Sequence, residues 1–477
     1  MNRLSPVRSL GLALVACALF TSACGLKTEA KDRLRTQGSL GNGQALPPGT
    51  SIDPETGEVV DESGNPVDPN TIGGPVVPGA PGATTGPTTG GPGGGPSAGP
   101  SSGPSGGPSS GPTTPAGPGN TTGIRGNKIY LALHGPLTGA GVPQDSFKSG
   151  TKLYWKTHKI RGMEVVADAF DDEYNPNGAI KACRAAAPSY FLIIGGAGTD
   201  QIQACARDQV VQRGGVPYIS AGVTTNGLTA LSNYFAASLT YAQQGPTVVK
   251  MAREKGYLNS AGPNGWGLVI SDTPNFADAR DSIQNALKAA GVKYKYYPVP
   301  KVGGSSTTVA NQLRSADHEV VYFLGQPLFF AELVGKTGCP AYCPQWTGVG
   351  ISMGVNTVAN LACGGSNGMF KGEFLSPYPG IEKAGQLAPG VAFKDDIEFN
   401  IYGVMQMIHQ MFNAVQGPLT RENMIATVGA GNFPAGIFSP TRFGGRTHFG
   451  GTAAYYLKAD CGPGNTSKWV TDGGPTR

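Results

Sequence analysis

Apolar and polar positions divide this chain into three unlike stretches. Behind Arg3 and Arg8, apolar residues run together from Leu10 to Phe20, and the small residues Thr21, Ser22 and Ala23 precede Cys24. A basic start, an apolar run of about 11 residues and small residues before a cut site predict a secretory signal over residues 1–23. The run is shorter than the roughly 20 apolar residues of a spanning helix. From Thr71 to Gly123 there is no hydrophobic periodicity and no charge, only Gly, Pro, Ser and Thr with a few apolar residues. After Gly126 the pattern becomes that of a folded protein, with short apolar runs alternating with stretches of helical period.

Ile129 to Leu133 is an apolar run stopped by Gly135-Pro136, which predicts a buried parallel strand. A helix follows from Ser146 to His158, a strand from Glu164 to Phe170 and a helix from Asn177 to Ala187. Phe191 to Ile194 is the next strand, closed by Gly195-Gly196-Ala197-Gly198, and Thr199 or Asp200 is placed to cap a helix reaching Arg213. Val216 to Ser220 is a fourth strand. The rhythm then restarts: helices over 244–255, 278–290 and 307–315 alternate with strands over 266–271, 293–299 and 320–324. Two β-α runs predict an α/β protein of two doubly wound parallel-sheet lobes joined by a hinge. A long helix from Asp396 to Gln416 carries Ile397, Ile401, Met405, Ile408 and Phe412 on one stripe, a core face.

Composition changes this picture mainly by giving the middle stretch a role. The 477 residues include 74 Gly and 39 Pro, about twice the usual share of roughly 12%. Residues 71–123 hold 18 of those glycines and 12 of those prolines. A chain that cannot bury apolar surface cannot offset its ordering entropy, so the segment from 24 to 126 is expected to be a tether. As a flexible coil of about 100 residues it would average roughly 50–60 Å end to end. Gly25 to Asn70 reads as extended or weakly structured, with turn formers at Asp53-Pro54-Glu55-Thr56-Gly57. A strict glycine triplet period is missing, which excludes collagen. A mean hydropathy of -0.15 argues against a multi-span membrane protein. The net charge of +5 comes from scattered Lys and Arg, so nucleic acid is not an expected partner.

Several loops carry a resemblance. Gly135-Pro136-Leu137-Thr138-Gly139, Asp171-Asp172 with Asn175-Pro176, Ile194-Gly195-Gly196 with Thr199, Gly215 to Ser220 with Ala221, Val223 and Thr224, and Gln244-Gly245 follow one another in fixed order. This order resembles the type I periplasmic binding proteins, and more narrowly the branched-chain amino acid and amide receptors of ABC importers. The likeness runs from about Lys128 to Cys461. It implies lobe I over 127–241 and 373–450, and lobe II over 242–372 and 451–477. It implies a small-molecule solute held between the lobes, an ABC permease as partner, and no cofactor. Ser22-Ala23-Cys24-Gly25 resembles the lipobox of bacterial lipoproteins, although Thr21 stands where a larger aliphatic residue is usual. That resemblance implies a lipid on Cys24 and an extracytoplasmic protein held at the cell membrane.

Ligands of parallel α/β sheets sit at the C-terminal ends of strands, beside helix N-termini. Thr199 and Thr224 lie at such ends; the resemblance gives their hydroxyls a ligand carboxylate, while each alone also reads as a cap or turn residue. Gln144, Val223, Phe276 and Gln326 are expected around the same cleft. Two departures stand out. The family's acids for an amino-acid ammonium align with Tyr241 and Val349 here, and an unpaired buried ammonium is costly by several kcal/mol. The solute is therefore expected to be a carboxylate, aromatic acid or amide-like molecule rather than a free α-amino acid.

Besides Cys17 in the expected signal and Cys24, six cysteines remain, Cys183, Cys205, Cys339, Cys343, Cys363 and Cys461, an even number in an exported chain, which predicts disulfides. Cys183 with Cys205, Cys339 with Cys343 and Cys363 with Cys461 is one of fifteen pairings. A metal site is not expected, since no His stands near a Cys pair at zinc spacing. Enzyme signatures fail as well: Gly335-Lys336-Thr337 lacks the phosphate-loop glycine, which would fall at Phe330. His134 reads either as a cleft residue or as a structural histidine. The expected function is solute binding without catalysis; a sensory receptor and a stalked structural protein of the envelope are the rival readings.

Overall fold

The computed structural model describes residues 50–52, 59–61 and 119–477, apart from 140–143, 261, 302–303, 350–354, 445–446, 465 and 477. The expected signal, Cys24 and nearly all of the expected tether therefore lie outside the described residues. Two compact units divide the chain at Gly111. In the first, β1 (Thr50–Ile52) and β2 (Val59–Asp61) pair antiparallel, Ser51 opposite Val60. The turn formers noted above lie between them.

The second unit is built on two sheets. β3 (Ile124–Arg125) pairs antiparallel with the start of β4 (Lys128–Gly135), and β4, β5 (Glu164–Asp171), β6 (Leu192–Gly195), β7 (Tyr218–Ser220) and β8 (Tyr234–Ala236) are parallel. Their spatial order is β5-β4-β6-β7-β8. Between them lie α1 (Gln144–Leu153), α2 (Pro176–Ala186), α3 (Thr199–Arg207) and α4 (Gln209–Arg213). Chain order and spatial order reverse between β4 and β6, which opens a crevice at the C-terminal ends of those strands.

The second sheet repeats the plan. β9 (Trp266–Ser271), β10 (Tyr294–Val299), β11 (Val320–Leu324), β12 (Gln345–Gly348) and β13 (Lys371–Ser376) are parallel in the order β10-β9-β11-β12-β13, with the reversal between β9 and β11. Helices α5 (Tyr241–Glu254), α6 (Ala277–Ala289), α7 (Ser306–Ser315), α8 (Pro327–Thr337) and α9 (Asn356–Gly365) link them. The chain then returns to the first lobe through α10 (Asp396–Ala414) and α11 (Arg421–Ala430), and a small pair, β14 (Asn432–Phe433) with β15 (Thr441–Arg442), follows. β16 (Ala454–Asp460) and β17 (Lys468–Thr476) close the second sheet antiparallel.

The parallel-dominated sheets match the expected α/β lobes, and β16 and β17, joined by a short loop, add an antiparallel hairpin to the second. Two expectations need correction. Strand β13 belongs to the second sheet, so the return to the first lobe comes after Ser376 rather than at residue 373. The helix expected to reach Arg213 breaks at Asp208, whose carboxylate accepts from the Val210 amide at 2.9 Å and pairs with Arg184. The apolar stripe of α10 is core, with Met405, Ile408 and Phe412 fully buried. Gly150 of α1 lets α10 approach, since a Cβ there would sit 3.0 Å from Ile401. The three cysteine pairs Cys183–Cys205, Cys339–Cys343 and Cys363–Cys461 are bonded in the structure.

Candidate functional site

The reversal points of the two sheets bring the strand-end loops of both lobes to one cleft. On the first-lobe side, the loop after β6 is shaped by Gly198, whose φ of +83° and whose closeness to Gln201 suit no side chain. Gly198, rather than Thr199, is the N-cap, and Thr199 is the first helical residue of α3. After β7, Ala221 to Thr225 pass under the second lobe, with Val223 and Thr224 buried.

The second lobe enters through α5. Thr240 caps it in a reciprocal pair with Gln243, and Tyr241 heads the helix. The Tyr241 amide donates to the Val223 carbonyl at 2.9 Å, and its hydroxyl is bonded to that of Thr199 at 3.0 Å. Burial pushes the Tyr241 hydroxyl up to about 12, so it stays protonated at ordinary pH. The Phe276 ring packs edge-on against Tyr241, their centroids 5.6 Å apart.

Five of the eight expected site residues, Thr199, Val223, Thr224, Tyr241 and Phe276, thus meet in one place. Gln326 caps α8 without a side-chain bond and is exposed. Val349 is fully buried in the apolar core. Gln144 opens α1, and its side chain lies outside the described residues.

Sequence reading missed four groups at this cleft. Asp278, in the first turn of α6, accepts from the Thr224 hydroxyl (3.2 Å), the Thr225 amide (2.7 Å) and the Thr225 hydroxyl (2.9 Å). Asp200, beside Thr199, accepts from Asn275 at 2.6 Å and from Lys301. Only a helix-start acid and a stray lysine mark these positions in the sequence, a pattern common on any solvated surface.

Beneath the first-lobe loops runs a buried polar relay. His134 at the end of β4 bonds Asp172 through Nδ1 (2.9 Å) and the Tyr218 hydroxyl through Nε2 (2.6 Å). His134 is therefore a structural residue, with both ring nitrogens engaged. It lies near the sulfurs of Cys183 and Cys205, which are bonded to each other. Under the second lobe, the Tyr322 hydroxyl of β11 is buried with no hydrogen-bond partner. Burial, then the nearby Tyr241 and Asp278, push it well above its ordinary value. A small cavity at the ends of β4, β6 and β7, lined by Leu133, Ile194, Ala221, Met407 and Phe438, offers about 30 Å³. That is room for about two waters, not a solute.

Comparison with known proteins agrees with this fold. A family model described as periplasmic binding protein matches residues 128–465. No curated protein matches the chain in sequence. Among solved structures, a fatty acid ABC transporter substrate-binding protein from Thermomonospora curvata is 17% identical. It covers 76% of this chain and 96% of its own, at a TM-score of 0.61. A solute binding protein of an ABC transporter from R. palustris, in complex with 4-hydroxybenzoate, is 18% identical over 72% of this chain and 95% of its own, at 0.58. A leucine binding protein from Thermotoga maritima MSB8 is 13% identical over 71% and 97%, at 0.56. Among the described residues no helix is long and apolar enough to cross a membrane.

Proposed function

Because the chain belongs to the type I periplasmic binding proteins, a non-enzymatic family of extracytoplasmic ABC-transporter receptors, we propose that its lobes close on one small carboxylate, aromatic-acid or amide-like solute. The lobes then present that solute to an ABC permease. The carrying observation is the meeting of Thr199, Val223, Thr224, Tyr241 and Phe276 where both sheets reverse. Hydroxyls and backbone amides at strand ends suit an oxygen anion or a carbonyl, and Phe276 with Tyr241 supplies an aromatic wall. Tyr241 and Val349 bring no charge to the positions that hold an ammonium in amino-acid receptors. That two structural neighbours are named for a fatty acid and crystallised with 4-hydroxybenzoate agrees with an acid ligand.

Anchoring completes the reading. A lipid on Cys24 would hold the tether at the membrane, each buried CH₂ contributing about 0.8 kcal/mol, and Cys24→Ala should then release the chain from membranes.

The test is calorimetry on the full chain with acids, amides and amino acids, 4-hydroxybenzoate, 4-hydroxybenzamide and leucine among them. An acid or amide is expected to bind, and leucine is not. Thr199→Val with Thr224→Val should weaken that binding at least tenfold, since each hydroxyl lost from a charged partner is worth about 1.5–3 kcal/mol. Unchanged affinity in the double variant sinks the assignment of this site.

A further inference from the structure

The donors at the end of β7 already hold a carboxylate, and it is the protein's own. Asp278 Oδ2 takes the Thr224 hydroxyl, the Thr225 amide and the Thr225 hydroxyl, all from the first lobe, while Oδ1 takes the Ala279 amide of its own helix. Three donors converging on one oxygen make an anion cradle, and Asp278 reaches it from across the cleft. The closure is repeated at the start of α3, where Asp200 of the first lobe holds Asn275 and Lys301 of the second. Lys301 is thereby paired, and is not free to balance a second carboxylate beside Asp278.

An entering carboxylate and Asp278 cannot share this cradle. Like charges on one donor set repel in a partly buried site, so one must leave. The geometry assigns Asp278 as a specificity-determining residue. It holds the lobes together when no solute is present and competes with a solute carboxylate for Thr224 and Thr225. This inference rests on the solute-binding reading above. It deepens that reading by ranking solutes: a neutral amide or carbonyl enters without contesting the cradle, whereas an acid enters by displacing Asp278.

Two measurements on the full chain test it. The first uses no solute: hydrogen exchange at the Thr225 amide, which donates to Asp278 across the cleft. Asp278→Ala should speed that exchange at least tenfold, with Asp278→Asn intermediate because its carbonyl still accepts. Exchange that stays as slow in both variants overturns the role of Asp278 in closure. The second compares 4-hydroxybenzoate with 4-hydroxybenzamide by calorimetry. Asp278→Ala should improve the acid at least fivefold relative to the amide. An equal change for both ligands overturns the competition. If neither ligand binds the wild type or the variants, the solute-binding reading loses its support, and the exchange measurement alone decides the role of Asp278. Asp278→Asn keeps the side chain's size, so a folding defect in the alanine variant does not blur the outcome.

Discussion

At the first lobe's edge of the cleft, the polar groups are tied down from below. His134 joins the end of β4 to Asp172 after β5 and, across β6, to Tyr218 at the start of β7, so three strands of the sheet share one buried network. At the second lobe's edge the arrangement is the reverse. The side chains of Asn275 and Lys301 are bonded to Asp200 across the cleft, Asp278 reaches Thr224 and Thr225 there, and the Tyr322 hydroxyl behind them has no partner. One lobe thus offers a preformed set of donors, while the other completes its hydrogen bonds by closing. A two-lobed receptor needs such asymmetry: a rigid half keeps the geometry, and a half satisfied on contact makes closure favourable.

The sharpest way to break this comparison is to remove the relay. His134→Leu leaves the Asp172 carboxylate and the Tyr218 hydroxyl buried without their partner. It should lower stability by about 3 kcal/mol in denaturant unfolding. A loss below about 1 kcal/mol would mean that the first lobe is not held from beneath.

A smaller effect separates the lobes by pH. Glu373 of β13 is buried in the second lobe, with Oε2 unpartnered and Lys255 4.0 Å from Oε1. Burial, and then the neighbouring Asp472, push it up to about 7. An acid raised in the folded state binds its proton more tightly there than in the unfolded chain. Its favourable contribution is therefore whole below the ordinary carboxylate range and is lost as pH rises toward 7. Between pH 5 and 8 the wild type should lose about 1–2 kcal/mol more than Glu373→Gln. Asp472 is itself held low, with burial opposing and the Lys255 bond outweighing it, so its own titration falls below this window. Parallel stability curves for the two proteins would place the unpaired charge elsewhere.

The smallest effect concerns Tyr322. Deleting an unpartnered hydroxyl removes a desolvated group and no bond, so Tyr322→Phe should be neutral or stabilising by up to about 1 kcal/mol. A thermal melt that drops by several degrees would show that the second lobe satisfies this group after all.

Much of the fold was legible in advance because it rests on local signals. The apolar runs at Ile129–Leu133 and Phe191–Ile194, each ended by glycine, are strands that must be buried on both faces, and they stand close to where they were expected. Edges were harder. β16 and β17 lie in a stretch where the alternation is weak, and the break at Asp208 depends on a cap that one carboxylate makes inside an otherwise helical pattern. Of the residues that meet at the cleft, Thr199 and Thr224 were expected there from the resemblance of the strand-end loops, and Tyr241 as a departure from that pattern. Asp278 and Lys301 were not, because an acid in a helix's first turn and a surface lysine look the same whether they face solvent or another lobe.

What the chain determines by itself is what repeats at short range: two β-α runs whose period sets strands, helices and strand-end loops. What only the tertiary structure decides is which of those loops meet. Thr224 and Asp278 are 54 residues apart and lie in different lobes. Their bond exists because two sheets with the same strand order turn their reversal points toward one cleft. Hydrophobic patterning acts through near neighbours along the chain, whereas a hydrogen bond across a cleft depends on the packing of everything between.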